Sequence, residues 1–294
     1  MTSPVSVVEK TVNRLADDCE QWLADCITSE KPALQAAWRH QILAKGKRLR
    51  LRLALHTSLA LGSTEEQCKY LACACELVHQ ASLIHDDLMD KDVQRNGLST
   101  IWQQFGSETA ICLGDALIVE AMFQSNCIPQ ISATQMHAIA TLFRDAIQTA
   151  AEGQIADCDA QQLERLSYSD YCAAVRKKSG ALLGLPVLAA MVVNNYSSND
   201  ILSVNEAFLQ LGTVYQLLDD LNDRELDRGK RLNGYWILAR TTQQNAETAL
   251  HEAVQQQLQS AEQLISQHDE SINSSFGYIR DAMLTKQNQW AAAS

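Results

Sequence analysis

Leu77-Val78-His79-Gln80-Ala81-Ser82-Leu83-Ile84-His85-Asp86-Asp87-Leu88-Met89-Asp90 combines an apolar stripe with a cluster of acids. Leu77, Val78, Ala81, Ile84 and Leu88 recur at three- and four-residue steps, the period of one helix face and not of a strand. The same pattern returns downstream. Val204, Phe208, Leu211, Val214, Tyr215 and Leu218 lead into Gln216-Leu217-Leu218-Asp219-Asp220-Leu221-Asn222-Asp223. Further out, a helix is expected to start after Gly114 and to include Ala116, Leu117, Glu120, Ala121 and Gln124. Breakers are scarce, with only 12 Gly and 4 Pro in 294 residues, which excludes folds that need a turn every ~8–12 residues. Gly62-Ser63-Thr64 ends one helix and caps the next, Asn96-Gly97 marks a turn, and Asn194 to Asn199 another. Residues 255–294 are expected to form a peripheral helix pair. With 46% hydrophobic residues and no linker, the expectation is one all-α domain over residues 1–294, a bundle of ten or more helices.

In both clusters D-D-x-x-D puts its first and last carboxylates at i and i+4, on one helix face. Like charges repel there, and the stripe aims them inward, where unpaired carboxylates cost several kcal/mol each. Two solvated acidic helix ends would be the plain explanation of one such motif. Two copies, each preceded by an apolar turn, point to a bound cation. Oxygen ligands with retained water and phosphate suit Mg²⁺, so the reading is two facing helices holding Mg²⁺ around a diphosphate. Basic residues lie near both clusters. They are Gly46-Lys47-Arg48-Leu49-Arg50-Leu51-Arg52, Arg95, Arg176-Lys177-Lys178, and Arg228 with Lys230 and Arg231. Each run alone reads as a solvated face; together they fit an anion site.

The remaining composition narrows the class. A net charge of −11 argues against a non-specific nucleic-acid partner. Nine cysteines, an odd number without a C-x-x-C pair, read as free thiols in a reducing, cytoplasmic setting. The most apolar run, Ala181 to Val193, is too short to cross a bilayer and is expected to be a buried helix. Met1 to Lys10 lacks the pattern of a signal peptide.

These residues resemble the trans-isoprenyl diphosphate synthases, or polyprenyl synthetases, over roughly residues 40–240. Gly46-Lys47-Arg48-Leu49-Arg50 is similar to that family's G-K-x-x-R segment, and Val78 to Asp90 to its first aspartate-rich motif. Arg95-Asn96-Gly97, Gly114-Asp115-Ala116-Leu117, Gly153-Gln154-Ile155-Ala156-Asp157 and Lys178-Ser179-Gly180-Ala181-Leu182 continue the match. Tyr215 to Asp223 resembles the second aspartate-rich motif. The resemblance implies an all-α bundle around a central cavity, working as a homodimer on prenyl diphosphates. It implies head-to-tail condensation of an allylic diphosphate with isopentenyl diphosphate. Asp86, Asp87, Asp90, Asp219, Asp220 and Asp223 would bind Mg²⁺, three ions with substrate bound. Arg95, Lys178 and Lys230 would contact the allylic diphosphate, with Ser179 and Gln216 in the site. Lys47, Arg50 and His79 would hold isopentenyl diphosphate. Asp86, Asp90, Asp219 and Lys178 would be the catalytic set.

Four departures keep alternatives open. Asn96 stands where a second Arg is usual, and Leu51 where Pro is usual. The loop after Asp223 is short, and Gly234-Tyr235-Trp236 brings aromatic rings, which either pack or offer faces to a cation. A cyclase of the same fold, acting without isopentenyl diphosphate, and a non-catalytic partner subunit are the other readings. Ala81 and Ser82 are small, so a product of C15 or longer is expected, C20 favoured, with Met122 and Phe123 as blocks further down.

Overall fold

A computed structural model describes residues 4–28, 30–44, 46–158, 166–228 and 232–291. Among these residues the chain is helical, apart from one hairpin of two-residue strands, β1 Gln94–Arg95 and β2 Leu98–Ser99. It divides into two compact units, residues 1–143 with 189–195, and residues 144–188 with 196–294.

The first unit holds α1 Pro4–Asp25, α2 Pro32–Leu43, α3 Leu49–Ala60, α4 Glu65–Asp90, α5 Ile101–Phe105, α6 Ser107–Asn126 and the first part of α7 Ala133–Cys158. Helix α4 is its axis and packs against α6, α3 and α1. Thr64 and Gln67 form the expected capping box, each side chain bonding the other's backbone N–H, so α4 starts at Glu65. The stripe residues Leu77, Val78, Ala81 and Ile84 are buried, as their spacing predicts. Asn96 and Gly97 turn the hairpin with φ of +50° and +81°, the left-handed pair that a two-residue loop requires.

Helix α6 departs from the expectation. It begins at Ser107, seven residues before Gly114. Gly114 is interior to the helix, and it is glycine because a Cβ there would lie 2.1 Å from Nε2 of His85 on α4. The glycine admits a ring; it does not open a helix. Phe123 is 61% exposed and so faces out of this unit.

The second unit holds the rest of α7, then α8 Tyr168–Val175, a π-helical turn Arg176–Gly180 and the first part of α9 Ala181–Val193. It continues through α10 Ser198–Asn222, α11 Arg224–Asp227, α12 Gly234–Thr241, α13 Ala246–Ile265 and α14 Glu270–Ala291. All of α9 is buried, as its composition predicts. Helix α10 is the axis here. It buries Val204, Phe208, Leu211, Val214 and Leu217, worth about 1.5–3 kcal/mol each. Of residues 255–294, those described lie in a helix pair, but α13 starts earlier, at Ala246, packs against α10 and buries Leu250, Val254 and Ile265. It is a core helix, not a peripheral one.

Candidate functional site

The first cluster ends α4. Asp86 and Asp90 are half-buried and share a face. Asp87, one residue along, points elsewhere and is 1% exposed. Arg95 from the hairpin donates to its Oδ1 from Nε at 2.9 Å and Nη2 at 2.5 Å. Burial raises the Asp87 pKa and the Arg95 guanidinium offsets part of the rise. Its Oδ2 is buried and accepts no hydrogen bond. Two residues expected on the substrate side, Asp87 and Arg95, thus bind each other.

The basic segment before α3 is split by its own backbone. Arg48 takes a left-handed φ of 48° and turns inward. There it donates to Glu76 Oε1 at 2.9 Å, and Gln80 donates to the same atom at 2.7 Å. Lys47 is exposed. Half-buried Arg50 lies with Nη1 3.1 Å from Nε2 of His79. Burial, then the charges of Arg50, Arg95 and Arg48, hold His79 well below its usual pKa, so it is neutral and accepts from Arg50. Asn96 donates its side-chain amide to Ala44 O at 3.0 Å, tying the hairpin to the end of α2.

The second cluster ends α10. Asp219 is half-buried and Asp223 is exposed at the helix C-cap. Asp220 is 1% exposed and accepts three hydrogen bonds. Tyr171 Oη donates at 2.8 Å, Gln216 Nε2 at 2.8 Å and the Gly234 N–H at 2.6 Å. Burial pushes the Asp220 pKa up to about 7, against the pull of the three donors. Gly234 has to be glycine for this approach, since a Cβ would lie 2.8 Å from Tyr171 Cζ.

The π-helical turn brings Lys178 and Ser179 to this region, and such turns often mark functional sites. Two glycines seat it. A Cβ at Gly153 would meet the Lys178 backbone N at 2.2 Å, and one at Gly212 would meet Gly180 Cα at 2.4 Å. Ser179 Oγ donates to Gln216 Oε1 at 3.0 Å, continuing the line that reaches Asp220. Each cation of the turn has an acid: Arg176 with Glu206, Lys177 with Glu152, and half-buried Lys178 with Asp157. Lys230 lies outside the described residues.

Sequence reasoning missed Tyr171, Glu76 and Asp157 as partners of site residues. Asp157 lies in a quoted family-like segment, but nothing local pairs it with Lys178; nothing local marks the other two, and Tyr171 is 49 positions from Asp220. The aromatic rings, left open between packing and offering a face to a cation, each carry a guanidinium, Tyr235 that of Arg224 at 5.6 Å and Trp236 that of Arg228 at 4.6 Å. Among the described residues, no three His, Cys, Asp or Glu side chains are placed to hold one metal ion. Mg²⁺ asks for less, since it takes one or two carboxylates and fills the rest with water and substrate oxygens. The paired carboxylates at i and i+4 fit that demand.

Comparison with known proteins agrees with these features. The polyprenyl synthetase family model matches residues 31–273. A geranylgeranyl pyrophosphate synthase of Geoglobus acetivorans is 33% identical over 197 residues, 66% of this chain and 60% of that protein. A farnesyl diphosphate synthase of Bacillus subtilis is 30% identical over 199 residues, 66% of this chain and 67% of that one. The match thus spans about 60% of the Geoglobus relative's length. Among solved structures, the Geoglobus geranylgeranyl pyrophosphate synthetase superposes with a TM-score of 0.79 at 23% identity, over 94% of this chain and 99% of the other. A geranyltransferase of Legionella pneumophila gives 0.78 at 20%, over 98% and 99%. At those identities the likeness is one of fold.

Proposed function

From a chain that belongs to the polyprenyl synthetase family, we propose a prenyltransferase that joins isopentenyl diphosphate to an allylic diphosphate. The observation that carries this reading is the repeated build of the two clusters. Each offers its first and last carboxylates at i and i+4, and fixes the one between by burial and hydrogen bonds. Asp86 and Asp90, with Asp219 and Asp223, hold Mg²⁺ in this reading, three ions with substrate bound. Asp87 and Asp220 set the helix ends that aim them. Bound Mg²⁺ supplies Lewis-acid stabilisation of the leaving diphosphate.

The chain's own groups do the rest. Lys178, carried by the π-helical turn, and Arg95, with Lys230, add positive charge for the allylic diphosphate. Ser179 and Gln216 orient that side. Arg50, Lys47 and neutral His79 receive isopentenyl diphosphate; His79 accepts from Arg50 and so fixes the guanidinium's direction. The allylic C–O bond breaks, the new C–C bond forms at the isopentenyl terminus, and a proton leaves to the released diphosphate. No side-chain base is needed. Small Ala81 and Ser82 favour a C20 product. We place the enzyme in the cytoplasm, consistent with free thiols at the eight cysteines whose side chains are described. Among the described residues no helix is long and apolar enough to cross a membrane. A homodimer fits α6, whose Ile111, Val119 and Phe123 are 49%, 69% and 61% exposed at helical spacing. Sedimentation at the monomer mass would contradict it.

One observation favours a cyclase instead. Asn96 replaces a charge and spends its amide on Ala44 O, so it adds nothing to a second diphosphate site. Product analysis separates the two. With Mg²⁺ and geranyl or farnesyl diphosphate, the synthase makes longer prenyl diphosphates only when isopentenyl diphosphate is added. Hydrocarbon or alcohol formed without it would establish the cyclase, and no turnover would sink both.

A further inference from the structure

The segment after the second cluster is built around two arginines stacked on two aromatic rings. Arg224 follows Asp223 directly and opens α11; Arg228 lies one turn on. The Arg224 guanidinium sits 5.6 Å from the Tyr235 ring centre and donates from Nη1 to Leu221 O at 2.9 Å. The Arg228 guanidinium sits 4.6 Å from the Trp236 ring centre. The rings meet edge to face at 5.0 Å, and Trp236 Nε1 donates to Arg224 O at 2.7 Å. The whole platform is anchored to the cluster. Asn233 donates to Asp220 O at 2.9 Å and Gly234 N–H to the Asp220 carboxylate at 2.6 Å, immediately before Tyr235 and Trp236.

A guanidinium held by its face over a ring keeps N–H groups at its edge, and such groups bind phosphate oxygens in pairs; Arg224 spends Nη1 on Leu221 O. Four other cations of the candidate site have acids of their own. Arg95 has Asp87, and Arg176, Lys177 and Lys178 have Glu206, Glu152 and Asp157. Among the described residues, neither Arg224 nor Arg228 has a carboxylate within 4.0 Å. Two positive charges unopposed by a described carboxylate thus follow Asp219 by five and nine residues.

We propose that Arg224 and Arg228, presented by Tyr235 and Trp236, form a diphosphate clamp that binds the allylic substrate's diphosphate beside Asp219 and Asp223. The aromatic pair serves as a support for arginine, since each ring already carries a guanidinium over one face. The clamp supplies charge that the short loop after Asp223 would otherwise lack. This inference rests on the prenyltransferase reading.

Steady-state kinetics of Arg228→Gln, Arg224→Gln and Arg224→Lys test it, together with calorimetry of inorganic diphosphate binding in Mg²⁺. Losing a charge-assisted pair should raise KM for the allylic diphosphate about tenfold or more, with KM for isopentenyl diphosphate and the melting temperature unchanged. Diphosphate Kd should rise in parallel, and Trp236→Leu should give a smaller rise. Arg224→Lys should recover part of the affinity, which a structural role through Leu221 O alone would not predict. An unchanged allylic KM and diphosphate Kd in Arg228→Gln, or equal rises for both substrates, overturns the clamp. If the native protein fails to elongate any substrate, the prenyltransferase reading falls, and the diphosphate calorimetry still decides whether the arginines bind.

Discussion

The two aspartate clusters share one sequence pattern and differ in how the middle carboxylate is held. Asp87 is neutralised by a formal charge, the Arg95 guanidinium. Asp220 has only neutral donors in contact, Tyr171, Gln216 and the Gly234 N–H. Both solutions fix the helix end, yet they carry different costs when disturbed. A buried charge stripped of its counter-ion is left uncompensated, whereas a carboxyl that loses one of three donors keeps two.

Of the two clusters, the first should show the larger mutational loss of stability. Arg95→Met should destabilise the protein by about 3 kcal/mol, the low end for a broken buried pair because Arg95 is 32% exposed. Asp87→Leu combined with Arg95→Met should recover most of that loss. Urea unfolding reads both; a loss below about 1 kcal/mol for Arg95→Met would mean that the pair does not hold the hairpin to α4. Tyr171→Phe should cost less, about 1–2 kcal/mol. Equal losses at the two clusters would erase the distinction between them.

A further effect is the pH dependence that Asp220 gives the second cluster. Folding raises the Asp220 pKa from 3.8 to about 7, so the folded state holds its proton more tightly than the unfolded chain. The stability this contributes is complete below about pH 4 and is lost as pH rises through about 7. In metal-free buffer, the stability of the native protein relative to Asp220→Asn should therefore fall over that interval. A flat difference would show that Asp220 stays ionised throughout.

Much of this was legible in the chain, and the residues show why the rest was not. The i, i+4 pairing of Asp86 with Asp90 follows from helical period alone, as does the burial of Leu77, Ile84, Val204 and Leu211. The same period also held an unused signal. Asp87 continues the buried line Leu77, Gln80, Ile84, and Asp220 continues Gln210, Thr213, Leu217, so the inward carboxylate of each pair can be read from its spacing. Its partner could not. Arg95 arrives by a hairpin, Tyr171 and Gly234 from other helices, and only tertiary packing joins them. Arg48 misleads for a related reason. It sits in a basic run, but a left-handed backbone turns it onto Glu76. Gly114 resembles a helix start in a motif and is the space left for His85.

In the proposed reaction, the outer carboxylates of both clusters serve chemistry at the expense of stability. Isopentenyl diphosphate incorporation by Asp86→Asn and Asp219→Asn, measured at saturating Mg²⁺ beside their melting temperatures, tests it most directly. Both variants should lose about a hundredfold or more in turnover, and Asp86→Asn should melt no lower than the native protein, because it relieves a like-charge pair at i and i+4. Turnover within about threefold of native in either variant would contradict the account.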